Sequence, residues 1–275
     1  MRKTVGIFVI VLASALALRA QSPPTADAPS WLFPLKVEKP FPKEDKPKAP
    51  PGSKAKPRTQ EEIDDLHNPP DWYPDQRPDP PSIVTKGRGG DAMACGACHL
   101  MSGHGHPESS DLTGLTADYM MQQMRDFKAG TRIDVPRMNL IAKAVTDEEV
   151  KAAAEWFAKL KTGPFVKVVE QEMVPKTYLG DGRMRFAEPG GATEPIGKRI
   201  IMVPEDQERA RMRDPNSGFI AYVPPGSLAA GKALVETGGG GKTLPCTICH
   251  GPDLKGLGNT PRLVGQHPIY TARQL

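Results

Sequence analysis

The sequence has few of the residues that build large hydrophobic cores. Only 38% of its 275 residues are apolar and 6% are aromatic, so part of the chain is expected to lie outside globular domains. No stripe of Lys and Arg with interleaved aromatic residues is present, which excludes a nucleic-acid-binding surface of the usual kind. A Ser/His/Asp series, a glycine-rich phosphate loop and an identifiable pair of catalytic acids are missing as well.

Long apolar runs are also scarce. The run from Val5 to Leu18 follows Arg2 and Lys3 and has 14 residues, fewer than the roughly 20 that span a membrane. It predicts a secretory signal peptide over residues 1–20, cleaved after Ala20, and hence an exported, periplasmic protein. The alternative is an uncleaved N-terminal membrane anchor. Without Arg2, Lys3 and Arg19 the formal charge falls from +4 to +1, so the polypeptide has little basic character.

Proline is concentrated in one part of the chain. Sixteen of the 30 prolines lie between Pro23 and Pro81, a density that packed helices and strands do not tolerate. Residues 21–81 are therefore predicted to form a Pro-rich tether. Aromatic residues near His67, such as Trp72 and Tyr73, leave open a second arrangement, in which the later part of this segment wraps over the domain that follows. His67 itself is expected at the surface.

The four cysteines form two copies of one motif. They occur as Cys95-Gly-Ala-Cys98-His99 and Cys246-Thr-Ile-Cys249-His250, which is C-x-x-C-H twice. On a helical turn, positions i, i+3 and i+4 share a face. Both thiols can then bond the vinyl groups of one porphyrin while the adjacent imidazole faces its iron. The motif predicts two covalently bound c-type haems, with His99 and His250 as iron ligands.

Three other uses of these cysteines have less support from the sequence. An exported protein can form disulfides, but a disulfide within either pair would close a tight, strained loop. A redox-active C-x-x-C does not require a following His in both copies. Zinc knuckles of the Cys₄ type are usually separated by roughly 15–20 residues, whereas Cys98 and Cys246 lie much farther apart.

An internal repeat surrounds the two motifs. Ungapped alignment of His99 with His250 gives eight identities across residues 95–123 and 246–274. Besides both cysteines and the histidine, they pair Gly105 with Gly256, Leu112 with Leu263, Gly114 with Gly265, Tyr119 with Tyr270 and Gln123 with Gln274. The chain therefore contains one haem-binding unit twice.

Cys246–His250, the following Gly-Pro-Asp-Leu-Lys-Gly and the segment Pro261–His267 resemble the class I c-type cytochromes, especially exported di-haem members. The resemblance covers residues 82–163 and 226–275 and implies an all-α fold. It also implies that each ligating histidine donates its second ring N–H to a backbone carbonyl, that of Pro261 in the second unit and of Ser110 at the matching place in the first. The expected organisation is signal peptide 1–20, tether or wrapping segment 21–81, first haem domain 82–163, β-containing interdomain segment 164–225 and second haem domain 226–275.

Local signals support these elements. Thr116 is predicted to cap a helix ending near Lys128, and Thr146 with Glu149 forms a capping box for a helix ending near Leu160. In the interdomain segment, residues 198–203 and 218–223 are predicted to form a pair of strands.

Met138 is the methionine that matches the ligand loop of the resembled family. It follows Val135-Pro136-Arg137, between the two predicted helices, and is expected to be the second ligand of the first iron. His104 and His106 are the competing ligands, although Gly103 and Gly105 favour a surface loop around them. The same offset from His250 points to position 289, beyond Leu275, so the second haem domain is expected to be incomplete and its sixth ligand is unassigned.

These features favour an electron carrier over an enzyme, because nothing outside the haem motifs resembles catalytic apparatus. The expected partners are redox proteins, with a membrane-associated oxidase or dehydrogenase among them. Two alternatives stay open: a di-haem peroxidase, and the cytochrome subunit of a periplasmic dehydrogenase.

Overall fold

A computed structural model describes residues 29–33, 36–42, 44–134 and 136–275. The predicted signal peptide and its cleavage site lie outside these ranges, as does Val135. Within them, no helix combines the length and apolar character needed to cross a bilayer.

Helices form the two haem-motif regions and recur in short pieces elsewhere. Those in the described residues are α1 (Gln60–Asp64), α2 (Ser82–Thr85), α3 (Gly96–His99), α4 (Ala117–Ala129), α5 (Met138–Ala144), α6 (Asp147–Phe157), α7 (Gln207–Arg211), α8 (Ser227–Gly241), α9 (Thr247–His250) and α10 (Pro268–Gln274). Single 3₁₀ turns lie at Pro74–Gln76 and Asp181–Arg183. In α8, Gly238 to Gly240 have left-handed φ angles, so the regular helix ends before them.

The two longest helices of the first unit begin where their caps predict. Thr116 Oγ1 accepts a hydrogen bond from the Tyr119 backbone N–H and starts α4. Thr146 and Glu149 form both bonds of a capping box at the start of α6, which satisfies N–H groups that the helix cannot pair. Helix α6 ends at Phe157, three residues before the predicted end. Its buried face, with Trp156 and Phe157, forms the core of the first unit.

The expected all-α fold class is wrong for the chain as a whole. Among the residues that the structure describes, 33% are in helices and 14% are in strands or bridges. The strands are β1 (Val166–Glu170), β2 (Met173–Pro175), β3 (Thr177–Leu179), β4 (Arg185–Ala187), β5 (Thr193–Pro195), β6 (Ile201–Pro204) and β7 (Phe219–Val223). The resemblance behind the all-α prediction covers only the haem units, whereas the strands all lie between them.

Strand β7 is the centre of the largest sheet. It pairs antiparallel with β6, which confirms the predicted strand pair, and parallel with β1, which was not predicted. Side chains of β7 alternate between buried and half-buried, with Phe219, Ala221 and Val223 inside, as expected for a strand with one face on a core. Two smaller sheets join β2 to β5 and β3 to β4.

The backbone repeats around the two haem motifs as the sequence does. The Gly105 N–H donates to the His99 carbonyl, and the Gly256 N–H donates to the His250 carbonyl, both at 2.9 Å. The isolated bridge between His106 and Ser109 recurs between Leu257 and Thr260. The internal repeat is therefore a repeat of three-dimensional structure.

Residues 44–81, here called the wrapping segment, lie against both the first unit and the strand region. Trp72 is 1% exposed, and its Nε1–H donates to the Met212 carbonyl at 2.7 Å. Trp156 of α6 donates its Nε1–H to the Pro78 carbonyl at 2.9 Å. Ile63 and Tyr73 pack with Trp72 and Met212 in a separate core. In this part of the proline-rich segment the chain has the wrapped arrangement rather than that of a loose tether.

Candidate functional site

The first C-x-x-C-H motif forms the single turn α3. Cys95 precedes the turn in helical backbone conformation, and His99 is its last residue. His99 Nδ1 donates to the Ser110 carbonyl oxygen at 3.0 Å. This contact fixes the ring and makes Nε2 the nitrogen available to a metal. On the other side of the turn, Arg213 donates from Nη1 to the Ala97 carbonyl at 2.5 Å.

The second motif has the same geometry. Thr247–His250 is the single turn α9, preceded by Cys246 in helical conformation. His250 Nδ1 donates to the Pro261 carbonyl oxygen at 2.7 Å. Both carbonyl acceptors that the family resemblance implies, those of Ser110 and Pro261, are therefore present.

No disulfide joins any of the four cysteines. Burial raises the pKa of Cys95 to about 12, and burial also raises the pKa of Cys98. Reactive dithiols instead have lowered pKa values in electropositive surroundings, so the first motif lacks the signature of a dithiol oxidoreductase. No group of three or more His, Cys, Asp or Glu residues in the described ranges is arranged to hold a metal ion.

The residues at both motifs fit a covalently attached haem. Each turn presents two unpaired thiols and an imidazole with a fixed ring orientation, the donor set of c-type attachment. Around the second motif, Ile248 and Leu257 are 61% and 63% exposed. Large exposed apolar side chains of this kind mark a binding surface, and they suit the apolar faces of a porphyrin ring.

The segment that carries Met138 lies close enough to the first motif for its charges to act on it. The charge of Asp134 acts on both Cys98 and His99, and that of Arg137 acts on Cys98. Met138 is half-buried and opens α5 rather than lying in an irregular loop. The backbone N–H of Met138 donates to Asp134 Oδ2 at 3.2 Å. The Asp134 carboxylate thus binds the first N–H group of α5, which belongs to the predicted ligand residue.

The competing ligands His104 and His106 are held by other groups. His104 Nδ1 donates to Asp111 Oδ2 at 3.1 Å, and its ring stacks on Phe165 with 4.6 Å between centroids. His106 Nδ1 accepts from the Glu108 backbone N–H. The expectation of a surface loop is wrong here, because Gly103, Gly105 and Pro107 are buried. The second haem unit and the strand region pack against this loop and cover it.

The two haem units meet through a buried ion pair. Arg262 Nη2 lies 2.6 Å from Asp111 Oδ2, and the two side chains are 5% and 1% exposed. Thr113 donates to Asp111 Oδ1 from both its backbone N–H, at 2.8 Å, and its hydroxyl, at 2.7 Å. Burial opposes ionisation of Asp111, but the hydrogen bond from His104 and the Arg262 charge hold its pKa below the usual value.

A buried histidine lies beside this pair. His267 is 1% exposed, and its Nε2 donates to the His104 carbonyl at 2.8 Å. Burial lowers the pKa of His267 to about 4, so the ring is neutral at pH 7. Gln266 donates to the Asp111 carbonyl at 2.9 Å, so residues 262–267 of the second unit contact the first unit repeatedly.

Asp111, Arg262 and His267 were not predicted as site residues. One signal for the first two was available, since 111 and 262 are equivalent positions of the repeat and directly follow Ser110 and Pro261. Opposite charges at equivalent positions are what a two-fold contact between repeated units would bring together.

Known proteins were compared with this chain. No protein-family model matches the sequence. Cytochrome c4 of Stutzerimonas stutzeri is 26% identical over 192 residues, which cover 68% of either chain. The thiosulfate dehydrogenase electron acceptor of Thiomonas intermedia (strain K12) is 28% identical over 190 residues, 67% of this chain. The match spans 62% of that relative's length.

Solved structures give weaker similarity. Reduced recombinant cytochrome c4 from Pseudomonas stutzeri is 22% identical with a TM-score of 0.40, covering 66% of this chain and 72% of the other. Cytochrome c4 of Acidithiobacillus ferrooxidans is 23% identical with a TM-score of 0.39, covering 66% and 77%.

The relatives identified by sequence are di-haem c-type cytochromes, which confirms the resemblance drawn from the motifs. The protein is a di-haem electron-transfer cytochrome with two covalently bound c-type haems. Within that class its homologues are cytochrome c4 and the thiosulfate dehydrogenase electron acceptors.

Proposed function

We propose that the protein carries single electrons in the periplasm between a dehydrogenase and a second redox protein. The first haem is attached at Cys95 and Cys98 and the second at Cys246 and Cys249. The observation that carries this assignment is the pair of matching turns, α3 and α9, in which each histidine donates Nδ1–H to a backbone carbonyl. When bound, each haem supplies a one-electron ferric/ferrous couple.

His99 and His250 are the proximal ligands through Nε2. Ser110 and Pro261 hold the two rings and keep the proton on Nδ1, which strengthens each imidazole as a ligand. Met138 is the second ligand of the first iron, supported by the proximity of Asp134 and Arg137 to the motif and by the other partners of His104 and His106. A thioether ligand favours the reduced iron and raises its potential.

The domain boundaries proposed for this function are those expected from the sequence. They are signal peptide 1–20, tether or wrapping segment 21–81, first haem domain 82–163, interdomain segment 164–225 and second haem domain 226–275. In this arrangement the interdomain segment fixes the two haem units relative to each other. Its Arg213 contacts the Ala97 carbonyl of the first motif, and its Phe165 and Phe219 share a core with Leu100 of the first unit and Ile269 of the second.

A dehydrogenase is the proposed donor because relatives of this chain are thiosulfate dehydrogenase electron acceptors. The cysteines and histidines of the two motifs would hold the haems, which would supply one-electron exchange between this donor and an oxidised partner. Protein matured in a periplasm with haem-attachment machinery should bind a dehydrogenase of a reduced sulfur compound and be reduced by it. The absence of both binding and reduction would disprove the partner.

Mass and spectra of the mature protein test the attachment sites. The wild type should carry two added haems, whereas Cys95→Ala/Cys98→Ala and Cys246→Ala/Cys249→Ala should each carry one. Two haems in either double variant, or none in the wild type, would contradict the assignment.

Replacement of Met138 tests the second ligand. Met138→Ala should remove the absorption band of iron–sulfur ligation from the first haem. It should also lower the reduction potential of that haem, with a tenfold or larger decrease in the equilibrium constant for reduction, since the thioether favours ferrous iron. Met121→Ala, on α4, is the control and should keep the band. A band that survives in Met138→Ala and is lost in the control would overturn the choice of methionine.

A further inference from the structure

The two proximal histidines lie at the ends of one connected series of contacts. His99 donates to the Ser110 carbonyl at 3.0 Å, and Ser110 is bonded through its peptide to Asp111. Asp111 pairs with Arg262 at 2.6 Å. Arg262 follows Pro261, whose carbonyl accepts from His250 at 2.7 Å. The series runs from one ligand to the other through the backbone and a single side-chain pair.

Further hydrogen bonds hold the Asp111 and Arg262 side chains in place. Arg262 Nη2 also donates to the Thr113 hydroxyl at 2.8 Å, its Nη1 donates to the Val264 carbonyl at 2.7 Å, and its Nε donates to the Thr113 carbonyl. A buried ion pair is held firmly only when its remaining donors and acceptors are satisfied. Asp111 satisfies this condition as well, with donors from Thr113 and His104. Neither side chain can reorient without breaking several hydrogen bonds.

We propose that Asp111 and Arg262 are positioning residues that couple the two haems, setting the reduction potential of each through the carbonyl that orients its histidine. The inference rests on the proposed ligation by His99 and His250. The Asp111 carboxylate lies next to the acceptor of His99 and favours the more positive, oxidised iron in the first unit. The Arg262 guanidinium lies next to the acceptor of His250 and favours reduced iron in the second. In a low-dielectric interior such charges act strongly and are poorly screened by salt.

The direction in which each substitution shifts the reduction potentials follows from the charge that it leaves unpaired. Asp111→Asn removes the negative charge and leaves the Arg262 charge uncompensated, so both potentials should rise. Arg262→Gln should lower both, because it leaves the Asp111 carboxylate uncompensated. In the double variant Asp111→Asn/Arg262→Gln, the shifts should largely cancel. We expect each single change to alter the reduction equilibrium of at least one haem tenfold or more, which is 59 mV for one electron.

The measurement is a redox titration of the two-haem protein, followed by spectra that resolve the haems. Glu108→Gln is the control for a buried charge in the same interface, since Glu108 pairs with Arg273 at 2.7 Å but does not adjoin either carbonyl acceptor. It should shift both potentials less than Asp111→Asn does. A pair that only holds the units together would lower stability in the single variants while leaving both potentials within threefold of the wild-type equilibrium, and that result would overturn the proposal.

Two further outcomes are decisive. A double variant whose potentials stay shifted from the wild type by as much as those of either single variant contradicts the proposal. If Asp111→Asn does not fold, Arg262→Lys keeps the charge but loses the planar fork, and it should shift the potential of the second haem less than Arg262→Gln does. Equal shifts in these two variants count against the proposal. Two haems with unchanged ligation in every variant show that the proposed function stands whatever the potentials do.

Discussion

Gly105 shows how closely the backbone folds behind the first histidine ligand. Its φ is +65°, and a Cβ at this position would lie 2.6 Å from the carbonyl oxygen of Ser110, the acceptor of His99. The repeat places Gly256 in the same conformation, with a Cβ position 2.7 Å from the Thr260 oxygen. Both the left-handed conformation and the close approach require glycine.

Gly105→Ala should therefore lower the free energy of unfolding by about 2 kcal/mol, because the strain of the left-handed backbone and the clash of the new Cβ with a backbone oxygen both destabilise the folded state. It should also change the spectrum of the first haem, because the Ser110 carbonyl has to move. Gly130→Ala is the control, because its φ is +77° but no atom lies within 4 Å of the Cβ position. It should cost about 1 kcal/mol and leave the spectrum unchanged. Denaturant titration and absorption spectra measure both effects, and equal behaviour of the two variants would contradict the prediction.

At this scale the sequence predicts contacts that depend on local spacing. The carbonyls of Ser110 and Pro261 lie eleven residues after their histidines in both units, so one family pattern locates both. Asp111 and Arg262 lie 151 residues apart in the sequence, and they form an ion pair only because one unit packs on the other. Local spacing therefore does not predict this pair. The burial of the loop around His104 is not predictable for the same reason, since flanking glycines indicate a turn but give no information on what covers it.

At the scale of elements, the wrapping segment depends on Trp72. This side chain is almost completely buried and donates to the Met212 carbonyl, just after α7. The same cluster contains Ile63 and Tyr73 from the segment itself. A proline-rich segment has little regular hydrogen bonding of its own, so such side-chain anchors determine whether it stays docked.

Trp72→Ala should release this segment from the strand region. Loss of a buried aromatic side chain costs about 3–5 kcal/mol, and we expect new protease cleavage between residues 44 and 73. Trp72→Phe keeps most of the apolar contact but loses the hydrogen bond, which should lower the free energy of unfolding by about 1 kcal/mol. This variant should resist cleavage like the wild type. Limited proteolysis with mass spectrometry of the fragments tests this. An unchanged fragment pattern in Trp72→Ala would show that other contacts hold the segment.

Elements were predictable where their signals are local. Helices α4 and α6 begin directly after the caps Thr116 and Thr146, and each cap lies three residues before its N–H partner. Strand β1 was missed because its parallel partner β7 lies more than 50 residues along the chain, and because Lys167 and Glu170 interrupt its apolar pattern. The all-α expectation failed in the same way, since a likeness confined to the haem units carries no information about the segment between them.

At the scale of the whole molecule, contacts between the haem units are polar and charged. Arg132 of the first unit donates to Tyr270 at 2.8 Å and to Gln274 at 3.0 Å. Arg273 of the second unit pairs with Glu108 at 2.7 Å and also donates to the Leu32 carbonyl. Arg273 thus joins the second unit to both the first unit and the N-terminal segment, so the stability of this junction should depend on pH.

Glu108 determines the sign of that dependence. Burial raises the pKa of this carboxyl despite the Arg273 charge, so the unfolded chain ionises it at a lower pH than the folded protein does. The stability associated with Glu108 is therefore lost as pH rises through its folded pKa. Arg273→Ala removes the compensating charge, and its cost should be about 2–4 kcal/mol at pH 7. The cost should be clearly smaller near pH 4, where the carboxyl is mostly protonated in both states. Lys39→Ala, which removes a more exposed pair with Glu188, should cost less than about 1 kcal/mol at either pH. Chemical unfolding of the variants and wild type at both pH values provides the comparison, and a cost for Arg273→Ala that is equal at pH 4 and pH 7 would show that the Glu108 charge does not govern this junction.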